Sequence, residues 1–183
     1  PTAEQEAAEK LIQNGCKLIS QHADSMGAPT ACENNNIPNV SYNGSTVDAC
    51  PNTFIVSSRI DWTPYFEHII DCVSNGKTIE ADWTGTTKTG SVVLTDVNER
   101  AAAAGTAAKI AEVKEKLEKG ELQVFDITTF TVDGKMLSED LMADVDSDAA
   151  YTPDTKVVSD GYFHESEYRS APYFQLQIDG ITL

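Results

Sequence analysis

The 183-residue sequence lacks an apolar run long enough to cross a bilayer, and it shows no recognisable signal peptide. Basic residues are scarce, because 13 Lys and Arg stand against 29 Asp and Glu, a formal net charge of −16. Binding to phosphate-rich polymers needs clustered Lys and Arg, so this charge argues against nucleic acid as a partner. We expect most of the acidic side chains to lie on a solvated surface.

Motifs that would identify an enzyme or a cofactor site are also missing. The sequence contains neither a Gly-x-Ser-x-Gly turn nor a glycine-rich phosphate-binding motif. Asp144, Asp146 and Asp148 begin like a calcium loop, but Ala149 stands where that loop requires glycine and Thr155 where it requires glutamate. We therefore expect no catalytic residue, no cofactor and no metal site.

The four cysteines have a spacing that matches neither a zinc site nor a redox motif. They are Cys16, Cys32, Cys50 and Cys72. Small buried hydrophobic residues are the simplest interpretation. A Cys32–Cys50 bridge stays open as an alternative in an oxidising compartment.

The chain starts at Pro1, directly at the beginning of a predicted helix. A parallel sheet normally starts with a strand that leads into such a helix. We interpret the chain as a piece of a longer protein, with a strand and a partner lobe expected upstream.

Residues 1–76 alternate between helical and strand patterns. Thr2 is a candidate N-cap, with Gln5 completing a capping box. The strongest helical period follows Asp61, where apolar residues recur at offsets of three, four, seven, eight and eleven. Predicted helices span residues 2–14, 25–35 and 61–76, and predicted strands span residues 16–21, 37–42 and 53–58. This alternation predicts an open, doubly wound α/β fold with a mostly parallel sheet.

The pattern changes after residue 76. We predict a strand over 91–95, a long Ala-rich helix over 98–119 and a strand over 122–131. Asp133-Gly134 predicts a tight hairpin, and residues 138–159 predict an acidic loop with one helical turn near Leu141. The predicted domains are a Rossmann-like ligand-binding lobe over 1–130, and a hairpin with irregular or edge strands over 131–183.

Polar side chains follow the first two predicted strands. His22, Asp24 and Ser25 lie between a strand and a helix, and Tyr42 and Asn43 end the next strand. Ligands of open α/β sheets bind at such strand ends. The alternative functions are helix capping by Asp24 or Ser25 and a simple turn at Asn43.

Two tryptophans are further candidates for ligand contact. Trp62 stands at the start of the third predicted helix, after Asp61 as its cap, and Trp83 lies in a short run before a Thr-Gly-Thr segment. Either indole could stack on a flat ring, or pack only as a core residue.

Two other classes of function remain open. One is a small hydrolase or transferase that uses His22 with Asp24, although these residues are too close in sequence for the usual base-and-orienter pair. The other is a receiver-like interaction domain without a small ligand, in which Asp24 is only a helix cap.

Residues 7–25 and 61–65 together carry a family resemblance. The run Gln-His-Ala-Asp-Ser at 21–25 and the run Asp-Trp-Thr-Pro-Tyr at 61–65 are fairly specific in combination. The chain resembles the second lobe of the basic membrane protein (BMP, PnrA-like) family of substrate-binding lipoproteins of ABC transporters. The likeness covers residues 3–95 well and continues more thinly to about residue 130.

This resemblance implies a non-enzymatic protein with a two-lobed type 1 periplasmic-binding fold. Its lobes would close by hinge motion on a small molecule, with a purine nucleoside or nucleobase as the expected ligand. The resemblance places His22, Asp24 and Ser25 on the second-lobe wall, Tyr42 and Asn43 at the next strand end, and Trp62 and Trp83 near the cleft. It also implies a bacterial cell-surface lipoprotein, anchored through an upstream N-terminus, that docks on the transporter's membrane subunits.

Overall fold

A four-stranded sheet in the order β1-β2-β3-β4 organises residues 1–118 of the computed structural model. Its strands are β1 (Ile19–Ser20), β2 (Asn39–Tyr42), β3 (Phe54–Ile60) and β4 (Val92–Leu94). Strands β1, β2 and β3 are parallel neighbours, whereas β4 runs antiparallel to β3. The prediction of a mostly parallel α/β sheet is confirmed.

The structure describes residues 1–145, 150, 152–165, 167–168 and 176–181. They fall into two compact units, Pro1–Glu118 and Lys119–Leu183. The helices are α1 (Thr2–Gln13), α2 (Gly27–Asn35), α3 (Thr63–Ser74) and α4 (Thr106–Lys119). Among the described residues, the helices fall short of the length and apolarity that a membrane crossing requires.

The predicted capping box at the start of α1 is wrong. Thr2 is already helical, and the chain enters the helix through Pro1, whose carbonyl accepts a hydrogen bond from the N–H of Gln5 at 3.0 Å. The Gln5 side chain donates instead to Glu9, one turn further along, at 2.9 Å. An (i, i+4) pair has therefore replaced the reciprocal cap.

Helices α1 and α2 pack together beside β1. Their shared core consists of Ala8, Ile19, Ala28, Ala31 and Cys32. Gly27 allows this close approach, because a Cβ atom there would overlap the carbonyl oxygen of Pro1. Burial raises the pKa of the Cys32 thiol to about 11, with a smaller contribution from Cys50. Each of the four cysteines is a free thiol, so the Cys32–Cys50 bridge is not formed.

Glu33 joins α2 to the turn before β3. Its carboxylate accepts hydrogen bonds from the backbone and amide of Asn52 and, at 2.7 Å, from the Thr53 hydroxyl. Partial burial acts to raise the pKa of Glu33, but the hydrogen bonds from Thr53 and Asn52 outweigh it and lower the pKa. The ionised carboxylate therefore fixes the entry into β3.

The long helix predicted over 98–119 begins only at Thr106. Asn98 begins a single turn, in which its carbonyl accepts the N–H groups of Ala101 and Ala102 at 3.1 and 3.0 Å. Its amide ties this turn to the carbonyls of Pro51 at 2.9 Å and Phe54 at 2.8 Å. Gly105 then adopts a left-handed φ of 87°, which interrupts a right-handed helix. The Ala-rich segment between them forms turns.

Among its described residues, the second unit contains two short antiparallel strand pairs. Strands β5 (Met142–Ala143) and β6 (Thr155–Lys156) form one pair, and β7 (Val158–Ser159) and β8 (Tyr162–Phe163) form the other. The helical turn predicted near Leu141 is wrong, because Leu141 leads into β5 and its carbonyl accepts the N–H of Val157. The core of this unit consists of Ile127, Ala143, Val157, Val158 and Phe163.

The hairpin predicted at Asp133-Gly134 is confirmed. Both residues have left-handed φ values, 50° and 72°, and Val132 and Lys135 exchange backbone hydrogen bonds across the turn. The strand predicted over 122–131 is wrong, since this segment is made of turns with one isolated bridge at Asp126. The predicted domain boundary at residue 130 lies inside the second unit, because Ile127 belongs to that unit's core.

Some predictions for the C-terminal region concern residues that the structure does not describe. The aspartates at 146 and 148 of the calcium-like run, and residues 169–175 of the predicted irregular tail, lie outside the described residues.

Candidate functional site

The carboxyl ends of β1 and β2 border a surface depression that we call the polar hollow. It is lined by Gln21, Ala23–Met26 and Tyr42–Thr46, and its volume is about 330 Å³. A neighbouring depression of about 490 Å³ shares Gln21 and Tyr42 and extends across the sheet to Ser58 on β3 and Leu94 on β4. Parallel strands bring these chain segments to one edge, where open α/β sheets bind ligands.

The segments on both sides of the polar hollow are fixed by short local contacts. The Ser25 hydroxyl accepts the N–H of Gly27 at 3.3 Å, at the start of α2. Asn43 has a left-handed φ of 70°, which turns the chain out of the sheet after β2. Its N–H donates to the carbonyl of Ser58 at 2.6 Å, so the turn is tied to β3.

Four of the residues predicted to bind ligand contact one another in pairs. The rings of His22 and Tyr42 stack, with centroids 4.3 Å apart and planes 10° from parallel. The amide of Asn43 donates to the Asp24 carboxylate at 3.4 Å. His22, Asp24 and Asn43 are exposed. The structure thus brings residues of the two strand ends together, with Ser25 beside them.

Two buried polar atoms of the polar hollow stand out. The Gln21 side-chain oxygen and the Thr46 hydroxyl are shielded from solvent, and neither has a hydrogen-bond partner among the described residues. Leaving such atoms unpaired costs about 1–3 kcal/mol each. The sequence marks Gln21 only as a neighbour of His22, and Thr46 carries no signal because threonine is common in turns.

Trp62 and Trp83 lie outside the residues that line the polar hollow. Trp62 precedes α3 at the carboxyl end of β3, is 57% exposed and packs edge-on against Tyr65 at 6.3 Å. Trp83 packs against Tyr65 at 5.2 Å and stacks on His68 at 6.4 Å. Trp62 therefore shares the sheet edge with the polar hollow, whereas Trp83 belongs to the surroundings of α3.

Asp61 lies one position before Trp62, the N-cap residue of α3, so the predicted cap is displaced by one residue. Its carboxylate accepts the N–H of Thr63, the first residue of α3, at 3.0 Å. The hydrogen bond from that backbone N–H is the main cause of the lowered pKa of Asp61, and Arg59 adds to it from 3.5 Å. A carboxylate here also complements the positive end of the helix dipole.

A second cavity lies between the sheet and α4. Its volume is about 410 Å³, and its walls are mainly aliphatic, from Val56, Val92, Leu94, Ile110, Val113 and Leu117. Small-molecule sites combine apolar contact with a few convergent polar groups. The polar hollow and its neighbouring depression fit that description better than this apolar groove.

The polar hollow lies where open α/β sheets bind small molecules. Residues 1–144 match the model of the Bmp family, described as ABC transporter substrate-binding protein PnrA-like. Because this match covers most of the chain, the protein belongs to that family. No curated protein matches the chain.

Solved structures support the same fold. The chain is similar to an ABC transporter solute-binding protein from Conexibacter woesei DSM 14684, with a TM-score of 0.55 and 20% identity over 67% of this chain and 42% of that one. A solute-binding protein from Aeropyrum pernix K1 gives a TM-score of 0.51 and 15% identity, over 74% of this chain and 45% of that one. A transcriptional activator of the comK gene from Bacillus halodurans gives a TM-score of 0.56 and 12% identity, over 65% of this chain and 42% of that one.

These three structures share a fold with the chain at low identity, and the chain spans less than half of each. The family is therefore shown by the match of residues 1–144, and the fold by the structural likeness.

Proposed function

We propose that this chain is the second lobe of a substrate-binding protein that captures a purine nucleoside or nucleobase for a bacterial ABC importer. The observation that carries the proposal is the pair of buried, unpartnered polar atoms of Gln21 and Thr46 in the polar hollow. A bound ligand that supplied their hydrogen bonds would remove the cost of burying them.

The chemistry of the polar hollow suits a nucleoside. The Asp24 carboxylate accepts hydrogen bonds from hydroxyl or amino groups, and the Asn43 amide can both donate and accept. The stacked His22–Tyr42 pair offers a flat aromatic surface beside these groups. Trp62, exposed at the same sheet edge, is the best candidate for stacking on a base.

Capture is proposed to require a second wall. The polar hollow and its neighbouring depression are open to solvent on one side of the lobe, and His22, Asp24 and Asn43 are exposed. High affinity for a small ligand requires burial of most of its surface. An upstream lobe would close over the ligand by hinge motion, and the ligand would shift the equilibrium because it contacts both walls only in the closed form.

The same proposal covers location and partners. We place the full protein outside the cytoplasm as a lipid-anchored lipoprotein, where its closed form would dock on the membrane subunits of the transporter. The family match supports this placement. The net charge of −16 suits an uncharged ligand better than a nucleotide, whose phosphates would be repelled.

The two alternative functions receive less support from the contacts. Among the hydrogen bonds of the described residues, none joins His22 to Asp24, the pair that a hydrolase or transferase would need. The receiver-like alternative requires Asp24 to cap α2, whereas the contact at the start of α2 comes from Ser25.

The test uses the full two-lobed protein and a panel of nucleosides and nucleobases. At 100-fold excess over the dissociation constant, adenosine, guanosine or inosine should stabilise the folded protein by about 2.7 kcal/mol, measured as a rise in melting temperature. A panel that leaves the melting temperature unchanged would eliminate the purine ligand.

A matched pair of variants assigns the site. Asp24→Asn removes a charge in the polar hollow, and Asp48→Asn removes one at an exposed position outside its lining. We expect Asp24→Asn to weaken binding about tenfold or more, because hydrogen bonds to charged groups contribute about 1.5–3 kcal/mol. Equal affinities for the two variants would show that the ligand binds elsewhere.

A further inference from the structure

Two side chains of α3 and one of the segment that follows it form a cluster of three potential metal ligands, none of which lines the polar hollow. One ligand atom each from His68, Cys72 and Glu80 lies within 4.8 Å of the other two. His68 Nε2 is 2.7 Å from Glu80 Oε2 and 3.7 Å from Cys72 Sγ. Imidazole, thiol and carboxylate are the three side-chain groups that bind zinc in proteins.

The sequence places this cluster through two local rules. His68 and Cys72 are four residues apart on α3, so they lie one above the other on the same helix face. Gly76, with a left-handed φ of 64°, then ends the helix in a Schellman motif, in which the N–H of Lys77 donates to the carbonyl of Cys72 at 2.8 Å. The reversed chain carries Glu80 back to His68.

The distances are close to those of a tetrahedral zinc site. Zn–N and Zn–O bonds of about 2.0–2.1 Å and a Zn–S bond of about 2.3 Å separate neighbouring ligand atoms by roughly 3.3–3.6 Å. The nitrogen–sulfur distance of 3.7 Å lies about 0.1 Å above this range, and the Glu80 oxygen lies within 4.8 Å of the Cys72 sulfur. The Glu80 oxygen, now hydrogen-bonded to His68, would withdraw by about 0.6 Å, which is a small movement for a side chain that is 59% exposed.

The surroundings also suit a divalent cation. Cys72 is only 2% exposed, while the His68 side chain is 29% exposed and leaves the cluster open on one side. The Trp83 ring lies beside the His68 ring, with centroids 6.4 Å apart and planes 22° from parallel. A thiolate and a carboxylate would together neutralise the two charges of the ion, and the acidic protein attracts cations.

From these contacts, we propose that His68, Cys72 and Glu80 form a zinc site with three protein ligands and one position for water. The ion would fasten the Lys77–Glu80 segment to α3. This site is independent of the proposed nucleoside site, and the Cys72 thiol would release its proton to solvent when the Zn–S bond forms.

The test titrates the full chain, under reducing conditions, with Zn²⁺ and with Co²⁺ as a spectroscopic probe. We expect one ion per chain with a dissociation constant on the order of micromolar or tighter. Co²⁺ should produce a thiolate-to-metal charge-transfer band, and Zn²⁺ should remove it by competition. Mg²⁺, which prefers oxygen ligands, should not compete.

Matched variants assign the ligands. Cys72→Ser should abolish the charge-transfer band, whereas Cys16→Ser should keep it. Glu80→Gln should weaken Zn²⁺ binding about tenfold or more, whereas Glu67→Gln, which removes the same charge from an exposed position on α3, should leave it within about twofold. His68→Ala, at a half-buried position, keeps the test decisive if Cys72→Ser fails to fold.

Three results would overturn the site. They are the absence of a charge-transfer band in the unaltered chain, a band that persists in Cys72→Ser, and equal affinities for Glu80→Gln and Glu67→Gln. Any of them would leave the cluster as a His68–Glu80 hydrogen bond beside a buried thiol.

Discussion

Asn98 offers the sharpest test of how the first unit is held together. Its amide donates two hydrogen bonds, at 2.9 and 2.8 Å, to the carbonyls of Pro51 and Phe54, and its own N–H donates to the carbonyl of Ile55. Asn98→Ala removes the two side-chain bonds and leaves the backbone bond in place. It also leaves two partly buried carbonyls without this donor.

The expected magnitude follows from these contacts. A typical intramolecular hydrogen bond contributes about 1 kcal/mol net, so two of them predict a loss of about 2 kcal/mol in the free energy of unfolding. The matched control is Asn75→Ala. The Asn75 amide also donates two hydrogen bonds, both to Asp71, but at an exposed helix end, where we expect a loss within about 0.5 kcal/mol.

Urea unfolding monitored by tryptophan fluorescence suits this comparison. Both tryptophans of the chain, Trp62 and Trp83, lie in the first unit, so the signal reports on that unit. Asn98→Ala should lower the midpoint without changing the slope of free energy against urea. If Asn98→Ala and Asn75→Ala shift the midpoint equally, the Asn98 side chain does not anchor its segment to β3.

Two further predictions concern the packing of α2. Gly27→Ala should lower the free energy of unfolding by about 1–3 kcal/mol in urea, because the added methyl group would overlap the carbonyl oxygen of Pro1. The control is Gly44→Ala, which has open space around it and should lower that free energy by less than about 0.5 kcal/mol. Equal losses for the two variants would contradict the close approach of α1 and α2. Glu33 has a lowered pKa in the folded chain, so its contribution to stability is complete above its ordinary pKa of 4.5 and is lost as pH falls through the folded value. The difference in free energy of unfolding between the unaltered chain and Glu33→Gln should therefore shrink as the pH is lowered in parallel urea titrations. A difference that stays constant would show that the hydrogen bonds from residues 52–53 do not depend on the negative charge of Glu33.

Local patterns in the sequence predicted the elements that are determined by a few consecutive residues. The apolar period after Asp61 predicted α3, and the Asp133-Gly134 pair predicted the hairpin, because both signals come from the geometry of a few consecutive residues. The alternation of helix and strand predicted the parallel sheet. The sequence runs at residues 21–25 and 61–65 together indicated the family, and the match over residues 1–144 shows that the chain belongs to it.

Elements that depend on distant contacts were predicted less well. The Ala-rich run has a high helix propensity throughout, but the turn that Asn98 begins is tied to Pro51 and Phe54, more than forty residues earlier, and Gly105 separates this turn from α4. Residues 122–131 have strand-like composition, yet they form turns around the core of the second unit. Tertiary hydrogen bonds and packing outweigh propensities of a few tenths of a kcal/mol per residue.

The sequence likewise predicted one part of the two candidate sites and missed another. Residue types and strand ends were enough to select His22, Asp24, Ser25, Tyr42 and Asn43 as neighbours, because the carboxyl ends of parallel strands share one edge. The sequence alone did not select Thr46, whose hydroxyl matters only once burial has removed its water. It also gave no metal-site spacing for His68, Cys72 and Glu80, because Glu80 approaches only after the Schellman motif reverses the chain. Composition and periodicity thus determined the fold class and the edge that carries polar groups. Tertiary structure decided which of those groups are buried and which distant side chains meet, since burial depends on contacts between residues far apart in the sequence.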